Sequence, residues 1–247
     1  MVRLSILLAL GCALLVAAPA RAAAPFDTRH FVAAIHDAAV PQADDVDTHL
    51  FALADGNAQL KWRDASRQQL LVAAVMTLDS YTRYYSGPSG TTPPTRPTVW
   101  VTLAPQLQKW CKAYAKQRAQ GKRGLNVRKR IVQRLGLSPT IPYAKVVQLW
   151  VDRSNVLRPC PDPGTADTRC DLQMATPAPV VKGVADFPAF FSGLFVNAYT
   201  PTGAPWTRLG YTYDWGQKRK FGFSEYMLTT STAYEVESAA SVAQYCA

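Results

Sequence analysis

Histidine is scarce in this chain of 247 residues: there are three, His30, His36 and His49, all near the N-terminal end. A Ser-His-Asp or Cys-His engine would have to draw its base from that short region. No Gly-x-Ser-x-Gly elbow accompanies it, and Ser89, within Gly87-Pro88-Ser89-Gly90, lacks the spacing. His30 and His36 are six apart, so a helix would put them on different faces and no zincin pair exists. Phosphate-cradling glycine loops and dinucleotide fingerprints are missing too, so no nucleotide cofactor, nor any other, is expected. Asp44, Asp45, Asp47 and His49 form the densest set of metal-type donors. An EF-hand loop, however, would need glycine where Leu50 stands and a closing glutamate, so these residues read as a solvated acidic loop with no metal expected.

Long apolar runs are equally rare. One occurs, at residues 4–18, and it follows the positive Arg3 and ends at Ala20-Arg21-Ala22. That order is the charged start, apolar middle and small-x-small ending of a secretory signal peptide, with cleavage expected after Ala22. Pro19 and Arg21 close the run short of the roughly 18 apolar residues that a bilayer-spanning helix requires. Residues 1–22 are therefore expected to be a signal peptide. Residues 23–247 are expected to form a single globular domain, periplasmic or secreted, with no transmembrane anchor after cleavage.

Acidic residues vanish between positions 80 and 151, where thirteen lysines and arginines lie, in a chain whose formal net charge is +10. The rest of the mature chain is net acidic, so the imbalance is regional. Such a face attracts phosphate-rich or carboxylate-rich surfaces such as anionic lipids, lipopolysaccharide, or teichoic and nucleic acids. The plainer reading is a solvated helix surface.

Four cysteines remain after the expected cleavage: Cys111, Cys160, Cys170 and Cys246. An even count in an exported chain implies two disulfides, and four cysteines allow three pairings. The preferred one joins Cys160 to Cys170 across the loop RPCPDPGTADTRC, and Cys111 to Cys246, tying the C-terminus to the middle of the chain. Each cysteine then has a partner, which argues against a catalytic thiol.

The pattern along the chain predicts a helix over 26–40 capped by Asp27, an acidic loop at 43–47, and strands at 60–62 and 70–77. A Pro-rich loop is expected over 86–97 and a strand over 98–103. A helix then begins at Pro105, with Leu107, Trp110, Cys111 and Tyr114 at helical spacing. A second helix is expected from the cap Asn126 to Gly136, with Val127, Ile131, Val132 and Leu135 inward and its basic residues outward. A strand over 146–151, a helix over 187–198 capped by Asp186, and an alternating hairpin over 207–215 and 221–228 complete the reading. Strands at both ends with helices between them argue for an α+β domain on a mainly antiparallel sheet.

The segment 205–216, PWTRLGYTYDWG, is the most distinctive passage. Its aromatics serve either as core or as a platform for a sugar ring or peptide, with Arg208, Asp214 and Glu225 as polar anchors. Together with Val99-Trp100-Val101-Thr102 and Arg158-Pro159-Cys160-Pro161-Asp162-Pro163, this passage resembles an uncharacterised family of exported bacterial proteins. The resemblance implies export and carries no activity, cofactor or partner.

With no catalytic constellation legible, the expected function is non-enzymatic binding of an anionic envelope component or a protein partner. The residues assigned to it are Lys122, Arg123, Arg128, Lys129 and Arg130 of the basic hairpin, with Arg208, Tyr211, Tyr213 and Asp214 of the aromatic hairpin. The alternative is a cell-envelope hydrolase using Asp214 and Glu225 as acid and base, since environments that separate two carboxyl pKa values allow both roles.

Overall fold

A nearly unbroken apolar run, QLLVAAVMT, forms strand β1 (Gln69–Thr77), buried on both faces over most of its length as the centre of a sheet must be. The structure is a computed structural model describing residues 26–94 and 99–247, so the expected signal peptide lies outside the described residues. Around β1 the sheet runs β2 (Ser89–Thr91), β8 (Ala233–Ser241), β4 (Tyr143–Asp152), β1, β3 (Val99–Leu103), β7 (Phe221–Leu228), β5 (Val156–Leu157), with β6 (Tyr211–Tyr213) also on β7. Every pairing is antiparallel. The expected class therefore holds: one α+β domain, a large antiparallel sheet with packed helices.

Alternation sorts the strands onto two faces. Val72, Leu103, Leu149, Tyr226 and Tyr234 point to one side, where Leu53 and Leu60 cover them. Leu71, Val146, Trp150 and Phe223 point to the other, against helices. The register agrees, with Val72 opposite Leu149 and Leu71 opposite Trp150.

The helices begin where capping chemistry dictates. In α1 (Thr28–Ala38) the Asp27 carboxylate accepts the His30 N–H, in α4 (Val127–Arg134) the Asn126 side chain accepts that of Lys129, and in α5 (Phe187–Ala198) Asp186 accepts that of Ala189. Helix α3 (Ala104–Ala119) has proline in its first turn, where the missing N–H costs nothing. Short α2 (Leu78–Tyr84) and α6 (Val242–Tyr245) follow directly from β1 and β8. Helices α3, α4 and α6 cover the sheet beside β1 and β4, while α5 covers Trp100, Leu157 and Met227.

Both preferred disulfides are present. Cys111 on α3 joins Cys246 beside α6, within the helical layer, and Cys160 joins Cys170. Within the second loop the Arg158 side chain is fully buried, donating to the carbonyls of Arg169 (3.1 Å) and Phe51 (3.2 Å) and to Asp167.

Five local expectations are corrected. Residues 60–62 form only a single bridge, Trp62 to Leu70, because Arg67 turns back with φ 52° almost at once. The loop over 86–97 contains β2, a polar edge strand paired through its backbone, with Gly90 opposite Tyr234. The acidic loop contains a 3₁₀ turn at Ala43–Asp45, where the Asp45 carboxylate accepts the Gln42 N–H. The strand over 207–215 shrinks to β6, since Arg208 (φ 59°) and Gly210 (φ 72°) are left-handed and break the alternation. Finally, the basic residues of α4 do not all face outward. The helix is wedged between two clusters, Ile131 entering the sheet side and Val132 packing on Phe31, Ile35 and Trp215, so Arg130 is buried at 4% exposure.

Candidate binding groove along helix α3

Burying Arg130 demands a partner, and Asp214 supplies it. The guanidinium donates Nη1 to Oδ1 at 2.8 Å and Nη2 to Oδ2 at 2.6 Å, a bidentate pair with both side chains inaccessible. The Gly216 N–H also donates to Oδ1 (3.1 Å). One turn along α4, Arg134 approaches the same carboxylate at 3.4 Å and donates to the Gly222 carbonyl at 3.2 Å. Two guanidinium groups thus meet one carboxylate, leaving a net positive charge. Burial pushes Arg134 below the usual arginine range, Asp214 pulls it back up, and Arg130 adds to the lowering. Its Nε is buried with no hydrogen-bond partner among the described residues.

Arg134 is also clamped between rings, 5.1 Å from the Trp110 centroid and 4.6 Å from that of Phe223. Trp110 stacks on Tyr114, four residues on along α3, at 5.5 Å and 14°. This wall borders two cavities that share Trp110 and Arg134. The first, about 810 Å³, is polar and lies among Asp44, His49, Gln117, Arg219 and the Arg130–Asp214 pair. The second, about 710 Å³, is more apolar and runs between segment 51–61 and α3. Both fall in the size range of small-molecule sites.

The residues named from sequence are scattered. Lys122, Arg123 and Arg128 are exposed around the α3–α4 connection, whereas Lys129 lies over the Phe26 ring at 5.3 Å and Arg130 is enclosed. Arg208 packs against Phe195 (4.6 Å) and donates to the Ala39 carbonyl (2.7 Å). Tyr211 is buried and donates to the Asp45 carbonyl at 2.9 Å, and Tyr213 donates to the Asp37 carboxylate at 2.9 Å. Burial raises both phenols. Lys220 bridges Asp37 (2.7 Å) and Asp45 (2.6 Å). Burial pulls Asp37 up, but hydrogen bonds from Lys220 and Tyr213 outweigh it and hold the carboxyl below its ordinary value. In this arrangement the aromatic hairpin fastens α1 and the 3₁₀ turn to β7.

Asp214 and Glu225 do not converge. Asp214 borders the polar cavity, while Glu225, opposite Thr102 on β3, borders a separate space of about 50 Å³ with Trp100, Leu135 and Thr212. Its Oε2 has no partner among the described residues, and burial pushes its carboxyl up to about 8. Among the described residues no group of three or more His, Cys, Asp or Glu is placed to hold a metal ion. None of their helices is long and apolar enough to cross a membrane.

Sequence reasoning missed Trp110, Tyr114 and Arg134 as groove residues. The aromatic pair shares the helical spacing of buried Leu107 and Cys111, so it reads as core, and Arg134 is one of many cations. No protein-family model matches the chain, and neither does any curated protein or solved structure.

Proposed function

We propose that this chain is an exported, non-enzymatic binding protein that engages an anionic component of the cell envelope through the basic surface around α3 and α4. The observation that carries the reading is the exposure of Lys122, Arg123 and Arg128 in a stretch, 80–151, that contains no acidic residue. None of the three makes an ion pair among the described residues, and their field reaches across about a Debye length, roughly 8 Å at physiological salt. Arg130 belongs to the scaffold of that surface rather than to its contact layer.

A carboxylate-dependent hydrolase is the weaker reading. Asp214 is held by two arginines and Glu225 borders a different cavity, so the pair lacks the common cleft that acid–base catalysis on one bond requires.

Co-sedimentation of the oxidised protein with isolated envelopes tests the proposal, beside a Lys122→Gln, Arg123→Gln, Arg128→Gln variant. Wild type is expected to bind and the variant to lose most of that binding. Equal behaviour of the two would make the charge a solvated face. Binding that survives stripping the envelopes of lipid and glycan would point to a protein partner instead.

A further inference from the structure

The apolar cavity beside α3 has an unusual lining. Phe51, Leu60, Trp110, Ala113 and Phe223 give it an apolar wall, Lys61, Lys109 and Arg134 also border it, and among the described residues no aspartate or glutamate does. Lys61 is spoken for, 3.5 Å from Glu237 and over the Trp150 ring. Lys109 makes no ion pair among the described residues, and Arg134 shares its one carboxylate with Arg130. The shortage of acids matters for ligand chemistry. Ammonium groups need acceptors and sugar hydroxyls need acceptors as well as donors, whereas among the described side chains of the lining the amide oxygens belong to Gln59 and Gln106, and that of Gln106 already accepts the Ser224 N–H at 3.2 Å. An apolar body carrying a negative end meets both demands at once.

We infer that this cavity binds a single-chain anionic amphiphile, its hydrocarbon chain against the half-buried Phe51, Pro105 and Trp110 and its acidic headgroup at Lys109 and Arg134. The inference rests on the chain being a binding protein. Burial of the chain supplies the favourable free energy, and the two cations select the charged end. The polar cavity across Trp110 and Arg134 leaves the remainder of the headgroup in contact with water. Either a carboxylate or a phosphate ester satisfies the site, since both are compact anions that accept from the Lys109 ammonium and from the remaining Nη hydrogens of Arg134.

A dansyl-labelled undecanoate, used below its micellar concentration, is the probe. Dodecanoate and dodecyl phosphate are expected to displace it from the purified wild-type protein, with dodecyl maltoside and acetate weaker by about ten-fold or more. Relative displacement by the two anions separates a fatty acid from a phosphorylated lipid. Ala113→Trp, which fills the cavity from an exposed helical position, is expected to abolish binding, and Lys109→Glu to weaken it by about ten-fold. The Lys122→Gln, Arg123→Gln, Arg128→Gln variant is expected to bind the probe as wild type does, so loss of envelope binding and loss of amphiphile binding are read separately. No probe binding by wild type, equal competition by dodecyl maltoside, or undiminished binding in Ala113→Trp would each overturn the inference.

Discussion

Replacing Asp214 by Asn removes the carboxylate that two arginines share. Arg130 is 4% exposed and its Nη1 and Nη2 are both spent on Asp214, so the variant leaves a buried guanidinium facing a neutral amide. Breaking one side of such a pair costs about 3–5 kcal/mol, because desolvation of the remaining charge goes uncompensated. A domain of this kind has about 5–15 kcal/mol in total, so the loss is a large share. Arg130→Met behaves differently. It leaves Asp214 with Arg134 and the Gly216 N–H, and its own chain fills much of the vacated space over Trp110. About 1–3 kcal/mol is expected for it. The double variant should cost less than the two single losses added together, with a coupling of about 1–3 kcal/mol. Urea unfolding with both disulfides intact measures all four corners of the cycle. A loss below about 1 kcal/mol for Asp214→Asn, or strict additivity, would refute the view that this pair organises the α4–hairpin junction.

Glu225 predicts a pH dependence of definite sign. Its carboxyl is raised from 4.5 to about 8, so the folded state holds the proton more tightly than the unfolded chain. That contribution is complete below 4.5 and fades as pH rises towards 8, and Glu225→Gln should remove the slope and be more stable at pH 8 by about 4–5 kcal/mol. Parallel stability–pH curves for wild type and variant would count against the burial of this group. The disulfides should be unequal, because Cys111–Cys246 spans a sequence separation of 135 and Cys160–Cys170 one of 10. Paired serine substitutions should cost about 5 and about 3 kcal/mol respectively by the chain-entropy relation, and chemical denaturation showing the reverse order would contradict it. In the envelope assay, the three exposed cations predict loss of binding on their replacement by glutamine, while Arg208→Gln, whose charge is packed on Phe195, should leave binding unchanged.

What was readable in the sequence is what local chemistry controls. Asp27, Asn126 and Asp186 announce helix starts because a short acceptor side chain before an apolar pattern has little else to do. The central strand is visible because burial on both faces requires an unbroken apolar run. The cysteine spacing leaves three pairings open, and the structure forms the preferred one. By contrast, β2 and β8 escape a hydrophobic reading, the first polar and the second rich in alanine, serine and glutamate, since their pairing is made by backbone. The fate of Arg130 is illegible for a different reason. Its partner lies 84 residues away, and periodicity reports one buried face of α4 but not the second, against α1 and Trp215. The groove depends on where segment 51–61 passes over α3, a purely tertiary fact.

On the proposal above, exposed positive charge on the α3–α4 surface draws this protein to an anionic envelope. The most direct test of that attraction is the salt dependence of binding to vesicles of defined anionic lipid content, for wild type and for the variant lacking Lys122, Arg123 and Arg128. Affinity is expected to fall steeply with ionic strength in wild type and with a shallow slope in the variant, the two converging at high salt. Equal slopes, or binding indifferent to salt in both, would contradict it.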